Sequence, residues 1–112
     1  MSVVLLYFVA IQHFGFMVLE MLLWQRPLGL KIFRMSREQA AATAVLAANQ
    51  GLYNGFLAAW LVMSSALHSI PFQIFFLSCV IVAGVYGAYS VNKRIFFMQA
   101  VPALVALALV LA

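Results

Sequence analysis

The chain has 112 residues, of which 68% are apolar and only 7% charged, and its formal net charge is +4. An ordinary soluble domain carries roughly 25% charged residues, so this composition excludes a water-soluble fold and makes a bilayer the expected solvent. Four apolar segments and three short connections fill the chain, leaving no room for a separate soluble module.

The segments cover about 3–24, 40–63, 72–91 and 95–112, each near the ~20 residues that cross a hydrocarbon core as a helix. The expected fold is all-α: one integral membrane four-helix bundle, a single four-span domain over 1–112. Met-Ser precedes the first segment without a charged region, and no small-residue cleavage site with polar sequence follows, so a signal peptide is not expected.

Segment one carries His13 and Glu20. Seven residues apart, they share a helix face within about 20° and stand about 10 Å apart along the axis, too far for a direct hydrogen bond. Glu20 is the one acid clearly inside a span, since Glu38 falls at the start of segment two. An ionisable group at that depth is costly, faces a bundle interior or wet cavity, and marks a functional candidate. The structural alternative is a carboxyl reaching headgroups or a loop arginine, and for His13 a neutral imidazole bonded across helices.

In the connection "WQRPLGLKIFRMSREQA", Pro27 and Gly29 are expected to stop the first helix, and Ser36 with Gln39 three residues later makes a capping box for the second. Leu30, Ile32, Phe33 and Met35 alternate there with Lys31 and Arg34. That pattern fits a piece lying in the headgroup layer or an ordinary loop.

Segment two contains "VLAANQGLYNGFLAAW". At 100° per residue from Asn49, Tyr53, Gln50 and Asn54 fall at about 40°, 100° and 140°, with Gly51, Gly55, Ala58 and Ala59 on the neighbouring side. Gly51 and Gly55 make a G-x-x-x-G spacing, which lets helix backbones approach closely in lipid. Its first reading is packing within the bundle, with Gly84 and Ala88 of segment three as partner; a face for a second copy is the alternative. Trp24 and Trp60 suit the two membrane interfaces. Pro71 starts segment three, and a tight turn is expected near Asn92. Cys79, alone, makes no internal disulfide.

Arg26, Lys31, Arg34 and Arg37 lie between segments one and two, Lys93 and Arg94 between three and four, and His68 alone between two and three. The positive-inside rule puts both basic connections in the cytoplasm and both termini outside. Counting inward from the cytoplasmic helix ends puts Asn49, Tyr86 and Gln99 near the level of Glu20, and Tyr53 and Asn54 near that of His13. Two polar layers about 10 Å apart are expected, the amides of segment two being the cross-helix partners that let a carboxylate and an imidazole reside in lipid. The candidate ligand-binding residues are His13, Glu20, Asn49, Gln50, Tyr53, Asn54, Tyr86 and Gln99.

The stretches "IQHFGFMVLEM", "VLAANQGLYNGFLAA", "CVIVAGVYGAYS" and "FFMQAVPALVALAL" closely resemble the small bacterial membrane proteins catalogued as domain of unknown function 1304. The resemblance runs through nearly the whole chain and includes His13, Glu20, Asn49, Gln50, Asn54 and Gln99. It implies a four-span membrane protein of the bacterial cytoplasmic (inner) membrane and supplies no catalytic assignment.

One imidazole, one carboxylate and amides are too few soft ligands for a zinc or copper site, so no metal and no cofactor are expected. Hydrolase triads, phosphate-cradling loops beside a strand and paired carboxylates are missing, and nothing suits nucleic acid. Three classes remain. The first is a binding or carrier protein for a small amphiphilic or cationic ligand, the second a proton-linked transporter or membrane enzyme using His13 and Glu20, and the third a structural or accessory subunit. Expected partners are the lipid bilayer, a small amphiphilic ligand and further copies of the chain.

The orientation is directly measurable. A cysteine placed at His68 should react with a membrane-impermeant reagent from the outside; labelling only from the cytoplasmic side overturns the orientation and the depth count built on it.

Overall fold

A computed structural model describes residues 1–90 and 93–112, without the side chains of 95 and 96. The turn expected near Asn92 falls outside the described residues. Every described element is helical: α1 (Ser2–Met21), α2 (Pro27–Phe33), α3 (Arg37–Ala66), α4 (Ile70–Ser90), α5 (Lys93–Ile95), a π-helical turn (Phe96–Ala100) and α6 (Val101–Leu111). Among the described residues α1 and α4 are long and apolar enough to cross a membrane. The chain divides into two compact units, Gln12–Ala58 and Met1–Ile11 with Ala59–Ala112.

In the Gln12–Ala58 unit α1 stops earlier than the apolar run suggests. The amides of Leu22 and Leu23 both donate to the Val18 carbonyl, at 2.9 and 3.2 Å, and this wide closure ends the helix at Met21. Pro27 does not stop α1. It opens α2 at the first helical turn, where its missing N–H costs nothing and its fixed φ suits the helix. Gly29 lies inside α2 with its Cα over the Leu23 and Trp24 carbonyls, so any Cβ there would strike backbone.

α2 ends at Arg34, whose left-handed conformation (φ 53°, ψ 52°) lets its amide donate to the Leu30 carbonyl. The Met35 amide joins it on the same oxygen at 3.0 Å. A residue with a Cβ holds that conformation at a cost of about 1 kcal/mol, which glycine avoids. The Trp24 ring packs on Phe33 at 4.7 Å and its indole N–H donates to Thr43 Oγ1 at 3.1 Å, tying the connection to α3.

The capping box starts α3 as expected: the Ser36 amide donates to Gln39 Oε1 at 2.9 Å, and the Gln39 amide to Ser36 Oγ at 3.1 Å. Glu38 in the first turn adds a favourable charge at the positive end of the helix dipole. From there α3 runs 30 residues. Its buried positions in this unit, Ala40, Ala47, Gly51, Gly55 and Ala58, form a stripe without a single large side chain.

In the other unit Ser69 caps α4 through its hydroxyl, 3.4 Å from the Phe72 amide, and Pro71 sits in the first turn as expected. The Trp60 and Phe76 rings stack at 5.7 Å. Below them the buried Gln73 side chain donates to the Ser64 carbonyl at 3.5 Å, while Ser64 Oγ donates to the Leu61 carbonyl at 2.7 Å. α4 packs along the π turn and α6. Pro102 offers no N–H to the carbonyl four residues back, and the helical ladder widens to a π turn just ahead of it.

The small-residue positions close helices together, but with partners other than those expected. Gly51 and Gly55 take their nearest neighbours from α1, where an added Cβ would lie 2.8 Å from Met21 Cγ and 2.5 Å from Met17 Sδ respectively. Gly84 faces Ala100, with an added Cβ 2.8 Å from its Cβ and 2.9 Å from its amide nitrogen. Helical periodicity identifies a packing face; it does not say which helix covers it.

Gly84→Ala should therefore lower stability in detergent by about 1–3 kcal/mol, because the helix backbone of Ala100 must give way. Gly15→Ala should raise it by about 0.5–1 kcal/mol, since a Cβ there meets nothing within 4 Å and alanine is the better helix former. Thermal unfolding of the two variants beside the parent checks both signs.

Candidate functional site

Glu20 is one residue from the end of α1 and only 5% exposed. Its Oε1 accepts a hydrogen bond from Asn54 Nδ2 at 2.6 Å. The bond depends on the glycine stripe: an added Cβ at Gly51 would stand 3.0 Å from Glu20 Cβ and 3.2 Å from the Met17 carbonyl. With glycine at 51 and 55, α1 lies close enough for a short amide to span the gap. A hydrogen bond to a charged partner contributes about 1.5–3 kcal/mol, and an unpaired buried carboxylate costs more than that. Among the described residues the carboxyl has no basic partner.

His13, two turns earlier on α1, is fully buried, and its ring meets Phe16 edge-to-face at 5.2 Å. The segment-two amides divide differently from the depth count. Asn49 does not reach Glu20; its Nδ2 donates to the Val45 carbonyl of its own helix at 2.9 Å, on an exposed face. Asn54, expected at the level of His13, is the partner of Glu20. The difference is five residues, about 7.5 Å of helix.

Its causes are face and stagger: Asn49 is on the side of α3 opposite the Gly51–Gly55 stripe that meets α1, and the two helices are offset. Asn54 lies 17 residues after Arg37, about 26 Å along α3, whereas Glu20 is at the end of α1. The first turns of α3 run beyond α1, beside the connection that Trp24 ties to Thr43.

Gln50 is exposed, and Tyr53, 68% exposed, touches Phe56 edge-to-face at 6.0 Å. In the Ala59–Ala112 part of the other unit, Tyr86 is 64% exposed and lines a shallow apolar groove with Ile81, Val82, Val85 and Tyr89. Gln99 is half-buried in the π turn. Of the eight predicted residues, the structure joins Glu20 with Asn54 directly and buries His13 on the same helix.

Two further contacts stand outside the eight predicted residues. Gln73 and Ser64 form a buried pair at the α3–α4 connection, signalled by a lone amide in the apolar run "PFQIFFLS". Met17 sets its thioether against Gly55, a contact with no signal in composition.

A buried carboxyl–amide pair between glycine-closed helices, in an apolar chain without described strands, defines a small all-helical protein with two helices suited to a membrane by length and composition. The chain belongs to the family described as protein of unknown function DUF1304, which matches residues 7–111. The resemblance carried by the four stretches is thereby borne out. The chain is also similar to the uncharacterized protein YpaA of Lactococcus lactis subsp. lactis (strain IL1403), 29% identical over 111 residues, covering 96% of this chain and 93% of that protein. No solved structure matches significantly.

The pair is open to a double-mutant cycle. Asn54→Leu should destabilise by about 1–3 kcal/mol by leaving the carboxyl unpartnered, and adding Glu20→Leu should recover part of that loss. Asn49→Ala should stay within about 0.5 kcal/mol. Denaturation in detergent reads all three.

Proposed function

We propose that the chain is a single four-span domain of the bacterial cytoplasmic (inner) membrane, a four-helix bundle with both termini outside. In this reading it binds or carries a small cationic or amphiphilic ligand at Glu20. The orientation rests on the two basic connections; the ligand class rests on the carboxyl. The Glu20 carboxyl is 5% exposed and has one amide donor and no cation among the described residues; its ionised form would need a counter-charge, which a ligand ammonium would supply. Glu20 and Asn54 form the polar end of this site. Exposed aromatics such as Tyr53 and Phe14 offer ring faces to an ammonium or an acyl chain. His13, Asn49 and Gln50 of the same unit are assigned as further polar groups of the site, with Asn49 the least involved because its amide is already used within α3.

A second reading is favoured by the buried imidazole of His13 on the same helix: a proton-linked transporter or membrane enzyme in which water or ligand joins His13 and Glu20 across about 10 Å. A structural or accessory subunit is the third. Purification in mild detergent followed by native mass spectrometry and lipid extraction separates them. Ligand binding predicts one small molecule that copurifies with the parent and with Asn49→Ala and is lost from Glu20→Gln, whose melting temperature stays within a few degrees. The proton reading predicts that His13→Gln shares the Glu20→Gln phenotype. An empty protein that Glu20→Gln stabilises is the accessory subunit, since the change then only removes a buried charge.

A further inference from the structure

The connection between α1 and α3 carries more structure than a link requires. α2 has one edge fixed inward by Gly29 over backbone carbonyls and by Phe33 on the Trp24 ring. Leu28 and Ile32, four residues apart and so on one face, remain 51% and 43% exposed, with Lys31 exposed beside them. Arg26 precedes the helix, Arg34 ends it and Arg37 opens α3, all exposed. Over residues 26–38 four cations face one acid, Glu38, and among the described residues none of the four is in an ion pair.

Arg34 adds an independent observation. It occupies a left-handed backbone position where glycine is the unstrained choice, so the turn alone does not account for a guanidinium there.

We propose that α2 and its flanking cations form a docking surface for a layer of anionic lipid headgroups. Leu28 and Ile32 pass between the headgroups into the acyl region, and Arg26, Lys31, Arg34 and Arg37 meet the phosphates around them. An apolar pair ringed by cations fits this occupant: acyl chains take the pair, lipid phosphates take the charge, and a neutral headgroup layer satisfies only the first. A protein partner is disfavoured, because two half-exposed apolar side chains among four exposed cations make too small a core for a protein interface. The inference rests on the membrane reading above; it adds selectivity for lipid charge at a surface separate from Glu20.

The test uses the full chain in neutral detergent, with its melting temperature followed as phosphatidylglycerol or phosphatidylcholine is titrated into the micelles and bound lipids counted by native mass spectrometry. Phosphatidylglycerol should raise the melting temperature and remain bound where phosphatidylcholine does neither, and ~0.5 M salt should suppress the effect. Each of Arg26→Gln, Lys31→Gln, Arg34→Gln and Arg37→Gln should weaken the lipid response about five-fold. Arg34→Gly is the decisive variant: it should match or exceed the parent's melting temperature without lipid while losing response to phosphatidylglycerol. Leu28→Ser with Ile32→Ser should also reduce the response.

Equal responses to the two lipids overturn the proposal. So does an equal loss from Lys93→Gln with Arg94→Gln, which would make net charge the cause, or an equal effect of inorganic phosphate, which would make it an ion site. Alkaline carbonate extraction of native membranes separates the two readings: release of the chain overturns the membrane reading, whereas retention with no phosphatidylglycerol selectivity overturns this inference alone.

Discussion

The close approach of α1 and α3 at Gly51 and Gly55 is the constraint on which the polar chemistry of this protein depends. Asparagine is a short side chain, and it reaches the Glu20 carboxyl at 2.6 Å only because no Cβ at 51 or 55 holds the helices apart. Packing and polarity are thus coupled. A carboxyl in an apolar setting needs a partner, the partner needs the short interaxial distance, and that distance needs glycine. The same stripe supplies little hydrophobic burial, since its members are alanine and glycine. Its contribution is proximity, which raises dispersion and brings polar groups into range.

The stagger of α3 past α1 follows from how α1 ends. Closure of two amides on the Val18 carbonyl stops it at Met21, and the chain then folds α2 back instead of crossing directly to α3. Trp24 carries that arrangement, its ring on Phe33 and its N–H on Thr43. An amphipathic aromatic with one apolar face and one donor serves here as a clasp within the connection, where the sequence suggested an interfacial belt residue.

Much of the fold was legible because its signals are local. Helical class came from apolar content and segment length, the start of α3 from Ser36 and Gln39, the start of α4 from Pro71, and the burial of Glu20 and His13 from their position in an apolar run. Register was less legible. Asn49 lies opposite the Gly51–Gly55 stripe that meets α1 and Asn54 beside it, so the face that α1 covers, together with where α1 ends, decides which of them meets Glu20; no residue type demands the wide closure at Val18. Pro27 was ambiguous for a physical reason, since the same missing N–H that ends one helix suits the first turn of another. The partner of Gly84 is a property of tertiary packing, and a periodic stripe of small residues describes one surface without naming its complement.

The buried polar pair at the α3–α4 connection bears on the order in which contacts can close. Ser64 and Gln73 are nine positions apart, and the Trp60 and Phe76 rings stack across the same short stretch. Loop closure over so few residues costs little entropy, so this hairpin needs little of the rest of the chain in order to close. Gly84, by contrast, is covered only when Ala100, 16 residues on, packs against it. The mid-chain amide is thus satisfied by a local contact, whereas the Gly84 cleft is covered only by a segment much further along the chain.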